Sequence, residues 1–233
     1  MKRFSIASFI MFVLIGCDSG TQHIEVFSYS FDLSTTDEGW SGDFSDYPEG
    51  DSVLFELEYE YTLLPENISK TRNGIKVAGN NLNEDLFMFI KRKITGLQPN
   101  TTYSVLFNIR FASDAPTGDF GIEGAPGESV VVKVGATEIE PKKVLTTGNY
   151  LMNIDKGNQQ QGGQDVVLIG NVGVTPTTTQ FTEVYRNNNS LNSFIVTADA
   201  EGELWIIIGT DSDYEGATTL YYTSVDILFN QVN

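Results

Sequence analysis

ITGLQPNTTYSVLFNIRFA, residues Ile94–Ala112, is the stretch whose reading decides the fold. From Tyr103 to Phe111 every second residue is large and apolar: Tyr103, Val105, Phe107, Ile109 and Phe111. Ser104, Asn108 and Arg110 alternate with them, and Leu106 alone is apolar on that side. Side chains of an extended chain point alternately to opposite faces, so the pattern predicts a strand with one face in a core and the other wet. Burying five such side chains contributes roughly 1.5–3 kcal/mol each before the entropy of ordering is subtracted. Leu97-Gln98-Pro99-Asn100-Thr101 supplies the turn in front, because Pro presets φ and Asn tolerates unusual backbone angles.

The same theme runs outward in both directions. Ile24–Leu33 sets Phe27, Tyr29, Phe31 and Leu33 against Ser28, Ser30 and Asp32, and Val53–Tyr61 sets Val53, Phe55, Leu57, Tyr59 and Tyr61 against Glu56, Glu58 and Glu60. Both read as strands with one wet face. A short strand is expected near Ile75–Val77, and the continuous run Leu86–Ile90 predicts a strand covered on both faces. Further strands are expected at Ser129–Val134, Tyr150–Ile154, Val166–Ile169, Phe181–Tyr185, Phe194–Ala198, Leu204–Ile208 (with Trp205 in the core) and Thr219–Phe229. Ser34–Asp51, Ser113–Glu128 and the polar Asp155–Asp165 read as loops, and no window carries a helical period. Ten to twelve strands at this spacing predict an all-β fold, a two-sheet antiparallel sandwich that is jelly-roll-like.

Charge and composition exclude several function classes. The chain carries 31 acidic and 14 basic residues, a formal charge of −17. Such a surface repels nucleic acid and anionic headgroups and favours solubility and multivalent cations. Cys17 is the only cysteine and His23 the only histidine. No disulfide can form within the chain. His23 lies six residues from Cys17, on the short spacer expected after a lipid anchor there, and a tether cannot hold it by packing for a Ser-His-Asp site or for histidine-ligated zinc. No Gly-rich phosphate loop precedes a helix. A pair of carboxylates in the manner of a glycoside hydrolase is the remaining enzymatic alternative, and nothing singles out which pair.

The N-terminus reads MKRFSIASFIMFVLIGCDSG. Lys2 and Arg3 precede a mainly apolar run, Ile6–Ile15, that is too short for an ordinary membrane span. Leu14-Ile15-Gly16-Cys17 resembles the lipobox of bacterial lipoprotein signal peptides. That resemblance implies cleavage before Cys17 and a diacylglyceryl group on its thiol. Residues 1–16 are then a signal peptide, 17–23 a lipidated cysteine with a short tether, and 24–233 a single β-sandwich domain. Loss of Lys2 and Arg3 takes the formal charge from −17 to −19. The expected address is the bacterial cell envelope, at the outer membrane or cell surface, with the lipid bilayer as a partner through acylated Cys17.

A second likeness rests on Gly39-Trp40 after the opening strand, on ITGLQPNTTYSVLFNIRF, and on the closing LYYTSVDILF. This arrangement is similar to carbohydrate-binding-module jelly rolls and to a group of uncharacterised bacterial lipoproteins. Many such modules carry an Asp in the closing strand that binds a structural calcium; here Thr223-Ser224 stands in the corresponding place.

Two sets of residues are candidates for a site. Asp211-Ser-Asp213-Tyr-Glu215-Gly216 places oxygen ligands at alternating positions before a glycine, like the first half of a calcium loop, although Tyr222 stands where the bidentate acid belongs. Asp211, Asp213 and Glu215 are therefore candidate ligands of a structural Ca2+, with a plain acidic hairpin as the alternative and Asp43, Asp46, Glu49 and Asp51 as a second set. Glycan binding uses aromatic platforms with amide, carboxylate and guanidinium hydrogen bonds. Trp40 and Tyr47 in a polar loop, and Asn108 and Arg110 on the wet face of the central strand, fit those roles. The alternative is that Trp40 closes one end of the sandwich and Arg110 pairs with a strand glutamate. The sequence thus points to a non-catalytic binding domain for extracellular glycan, with a structural or protein-partner role in the envelope as the alternative.

Overall fold

The computed structural model describes residues 25–121, 123–175, 180–189 and 193–232. Cys17, His23 and the tether lie outside the described residues. The central alternating stretch is β7 (Thr102–Ser113), and all five of its inward side chains are fully buried. Beside it runs the long closing strand β15 (Gly216–Gln231). The remainder of this larger sheet is β12 (Thr182–Asn187) and β13 (Phe194–Thr197) on the far side of β7, and β1 (Val26–Asp32) and β5 (Asn73–Asn81) on the far side of β15. β4 (Glu58–Leu63) lies outside β5.

The second sheet has the order β11 (Val166–Asn171), β8 (Val130–Thr137), β14 (Leu204–Ser212), β6 (Phe87–Ile94), β2 (Ser41–Ser45). Every pairing within the sheets is antiparallel, and no helix occurs among the described residues. The fold is the antiparallel, jelly-roll-like sandwich that the alternation predicts. Val132 and Val134 of β8, Ile206 and Ile208 of β14 and Met88 and Ile90 of β6 meet the inward row of β7 to form one apolar core.

The LFMFI run is buried on both faces for a specific reason. Phe87 and Phe89 point away from the main core and join Ile154, Val166 and Ile207 in a second apolar cluster. A three-stranded sheet, β3 (Tyr47–Pro48), β10 (Asn149–Met152) and β9 (Lys143–Thr146), lies at this side of the molecule. Both β2 and β3 form within the segment Ser34–Asp51 that the sequence marks as loop.

Two side-chain devices complete the larger sheet. β12 and β13 share β7 as a neighbour but leave a gap, and Asn188 fills it: its Oδ1 accepts from Phe107 N at 2.7 Å and its Nδ2 donates to Val105 O at 2.8 Å. The Asn188 amide stands in for a strand's own backbone there. In β15 the register against β7 slips between Tyr222 and Ser224, so Thr223 forms a bulge. A bulge bends its strand and raises the local twist.

The structure corrects three elements. Val53–Leu57 is not strand but a tight turn closed by Phe55 N to Asp51 O at 2.9 Å, with Glu56 at φ 49°. Only Phe55 of that turn is buried, while Val53 is 84% exposed. Its alternation reflects a single inward anchor rather than a pleat. Trp205 is not a core residue: it lies half-buried on the outer side of β14, with Lys91 and Lys93 Nζ at 5.6 and 5.9 Å from its ring. The hairpin expected at Asp211–Gly216 is instead a crossing between sheets, because β14 and β15 belong to different ones.

Candidate functional site

The outer face of the larger sheet collects the exposed polar side chains of β7 and its neighbours. Register places Asn187 opposite Asn108, Asn108 opposite Asp226, and Asp226 opposite Ser30. In the next row Tyr185 faces Arg110, Arg110 faces Ser224, and Ser224 faces Asp32. Side chains directly opposite on one face of a sheet lie within reach of one another, so these rows form one continuous polar surface.

Its centre is organised by Tyr185, which is 46% exposed. The Tyr185 hydroxyl donates to Asn108 Oδ1 at 2.5 Å, and the Arg110 guanidinium carbon stands 5.4 Å from the Tyr185 ring centroid. Arg110 makes no ion pair among the described residues, so its donors are left to solvent or to a ligand. Alongside, the Ser30 hydroxyl donates to Asp226 Oδ1 at 2.5 Å and fixes that carboxylate. Leu106 and Leu228, opposite each other one row further along, give the surface an apolar margin.

The β4–β5 connection bounds the other side. Arg72 pairs with Glu183 at 3.1 Å, and Asn67 Nδ2 donates to Phe181 O at 2.7 Å. Since β15 and β7 separate β5 from β12, this connection reaches across the face. Phe181 and Tyr221 meet edge to face beneath it, with centroids 5.2 Å apart. Burial pushes the Tyr221 hydroxyl above its ordinary pKa, and it stays a neutral donor and acceptor at physiological pH.

The sequence-predicted residues divide. Asn108 and Arg110 meet on this face, as the alternation requires. Trp40 and Tyr47 do not join them. Trp40 is 3% exposed and packs edge to face on Phe31, centroids 5.6 Å apart, so it closes the core and offers no open ring. Tyr47 is 2% exposed, lies against Phe55 and Tyr150, and accepts a hydrogen bond from Lys143 Nζ at 3.2 Å. The loop holding both is polar in composition, yet these two rings are what anchors it. Tyr185 and Asp226 are the residues that sequence reasoning missed. The available signal was the tyrosine alternating with Glu183 and Asn187 beside buried Val184.

The expected cation loop does not assemble either. Asp211 is fully buried and its Oδ2 accepts from Lys133 at 2.7 Å and Lys156 at 2.9 Å. Asp213 and Glu215 lie beyond the end of β14, with their backbone N–H groups bound to Ser129 O and Glu123 O. Of the second set, Asp43 pairs with Lys143 at 2.8 Å and Asp46 with Lys156 at 3.1 Å. No three acids converge as a metal cage among the described residues. Lysine ammonium groups take one carboxylate oxygen each of Asp211, Asp43 and Asp46.

No family model matches the chain, and no curated protein matches it. Among solved structures it is similar to a putative sugar binding protein from Bacteroides thetaiotaomicron, at 10% identity over 83% of this chain and 89% of the other, with a TM-score of 0.41. It is also similar to the CBM22-1 xylan-binding domain of Xyn10C from Paenibacillus barcinonensis, at 9% identity over 88% and 95%, with a TM-score of 0.39. A third is the carbohydrate-binding module TmCBM61 in complex with β-1,4-galactotriose, at 7% identity over 80% and 86%, with a TM-score of 0.36.

Proposed function

We propose that this protein is a non-catalytic glycan-binding lipoprotein of the bacterial envelope, held at the bilayer through acylated Cys17 and using the outer face of its larger sheet as the binding surface. The observation that carries this reading is the trio of Tyr185, Asn108 and Arg110. An accessible aromatic ring, an amide and a guanidinium with no ion pair among the described residues lie within one side-chain length, flanked by the fixed carboxylate of Asp226. A pyranose ring presents an apolar face to an aromatic and hydroxyl pairs to amide, carboxylate and guanidinium groups. The surface is open rather than a deep pocket, which suits a polymer running across it better than a small molecule enclosed on all sides.

Retention of the full chain on a panel of immobilised polysaccharides tests the reading. Tyr185→Ala and Arg110→Ala are expected to weaken retention by about tenfold or more, the loss of roughly 1.4 kcal/mol, while the melting temperature stays within a degree or two of wild type. If no polysaccharide retains the wild-type protein, the reading fails.

A further inference from the structure

Beneath the 153–165 loop, β8 and β14 hold a lysine and an aspartate side by side with no exposed surface. Lys133 and Asp211 are both 0% exposed, and Lys133 Nζ stands 2.7 Å from Asp211 Oδ2. Register makes them diagonal neighbours: Lys133 faces Gly209 and Asp211 faces Val131. The residue opposite Lys133 therefore has no side chain to come between them. Lys133 Nζ also donates to Lys156 O at 3.0 Å and Gln161 O at 2.9 Å, which fixes the nitrogen in place. Lys156 Nζ stands 2.9 Å from the same Asp211 Oδ2 and 3.1 Å from Asp46 Oδ2. Asp211 Oδ1 has no hydrogen-bond partner among the described residues. Phe87 and Phe89 belong to the apolar cluster beside these groups.

As a purely structural feature this is an expensive way to fill space, since a buried ion pair is commonly no more stabilising than apolar residues of the same volume. Its geometry suits a reaction instead. We propose that Lys133 and Asp211 condense to an intramolecular amide, a covalent cross-link between the neighbouring strands β8 and β14. One proton passes directly from Lys133 Nζ to Asp211 Oδ2, leaving a neutral amine beside a neutral carboxylic acid. The nitrogen lone pair attacks Cγ, and Oδ1 carries the developing negative charge. The Cγ–Oδ2 bond then breaks as Lys156 gives a proton to Oδ2, which leaves as water. Lys156 takes back the proton that Nζ sheds, and Oδ1 becomes the amide carbonyl. An ammonium and a carboxylate become an amide and one water, so atoms and charge balance without any further reactant.

The two lysines are differentiated for these roles. Burial lowers the Lys133 pKa, more than Asp211 restores it, and the charge of Lys156 pushes the same way. Burial acts against the Lys156 ammonium as well, but Asp211 and Asp46 outweigh it and hold its pKa above the ordinary value. Paired groups driven apart in this way become nucleophile and acid. Holding the amine against the carboxyl supplies the proximity that makes such a condensation accessible without an activated ester.

The experiment is mass spectrometry on the purified full chain under denaturing conditions, with a digest of the same sample. Wild type is expected to be lighter by one water than its processed sequence requires, and the digest to contain a branched peptide joining Lys133 to Asp211. Lys133→Arg keeps the charge but removes the amine nucleophile, and is expected to show the full mass and two linear peptides. Linear peptides for both residues in the folded wild type would leave Lys133 and Asp211 as an ion pair only and overturn the proposal; the readout on wild type does not depend on whether a variant folds.

Discussion

At the scale of single residues, Asp85 shows how burial writes a pH dependence into the protein. Its Oδ1 is buried without a hydrogen-bond partner among the described residues, and burial raises its pKa from 3.8 to about 6, with the nearby charges of Asp46 and Asp211 adding to the shift. The folded state therefore holds a proton between pH 3.8 and about 6 that the unfolded state has released. Linkage gives the sign: this group's contribution to stability falls as pH rises through that window and is fully lost above it. Asp85→Asn removes the charge that the site resists. It is expected to raise the melting temperature above pH 6 by roughly 2–4 °C per kcal/mol recovered, and to change it little near pH 4. Calorimetric scans of wild type and variant on either side of that window test this; equal gains at both ends would show that the carboxylate is not the cause. Lys133 carries a signal at this scale that the sequence reading passed over, a lone charge between Val132 and Val134. A charged residue in an apolar strand run is either at a turn or paired in the interior, and here it is paired.

At the scale of elements, two contacts decide whether the strands can sit as they do. A methyl group on Gly209 would lie 2.5 Å from Phe87 Cζ and 2.9 Å from Met88 O. Gly209→Ala should force the Phe87 ring off its stacking partner Phe89 and cost about 1–3 kcal/mol, read as a lower urea midpoint with an unchanged m-value. Asn188→Ala leaves Phe107 N and Val105 O unpaired in the gap between β12 and β13, at about 1–3 kcal/mol. Hydrogen exchange at Phe107 should rise in that variant while exchange at Ile206 stays protected until global unfolding. Two patterns made strands legible in the sequence: one-sided burial, which enforces a period of two, marked β1 and β7, and unbroken apolar runs marked β6 and β14. Trp205 was misread because Leu204 and Ile206–Ile208 surround it with apolar residues, and sequence cannot say that the apolar cover on the outer side of β14 reaches Ile207 but leaves Trp205 beside two lysines. Asn108 and Arg110 could be assigned to a wet face from β7 alone. Tyr185 could not, since its place beside Arg110 depends on a pairing between segments about seventy-five residues apart, which local pattern does not encode.

At the scale of the whole molecule, β1 enters beside Asn230, at one end of the sandwich, and β15 runs from there to Gly216 at the other. The turn carrying Val53 and Leu54, the residue Leu82 after β5, and Phe120 in the β7–β8 connection all lie towards the Gly216 end, and Phe120 is 91% exposed. The anchor proposed at Cys17 would act from the opposite end. Cys17→Ser is expected to move the protein from the membrane pellet to the soluble fraction and to abolish incorporation of labelled fatty acid, with polysaccharide retention of the purified protein unchanged. Pelleting of the variant with the membranes would refute the anchor independently of the binding face proposed at Tyr185 and Arg110.

The length of β15 has a mechanical corollary. Sixteen residues of strand at about 3.3 Å each make a mast of some 50 Å. Were it fastened at its foot by the anchor proposed at Cys17, such a body would stand upright on a bilayer, its crown of loops clear of headgroups and its Tyr185 flank turned sideways. Polymer strands lying along the cell's outside would then be gripped laterally, as a post holds a rail, while the crown stays free to meet whatever approaches from the medium.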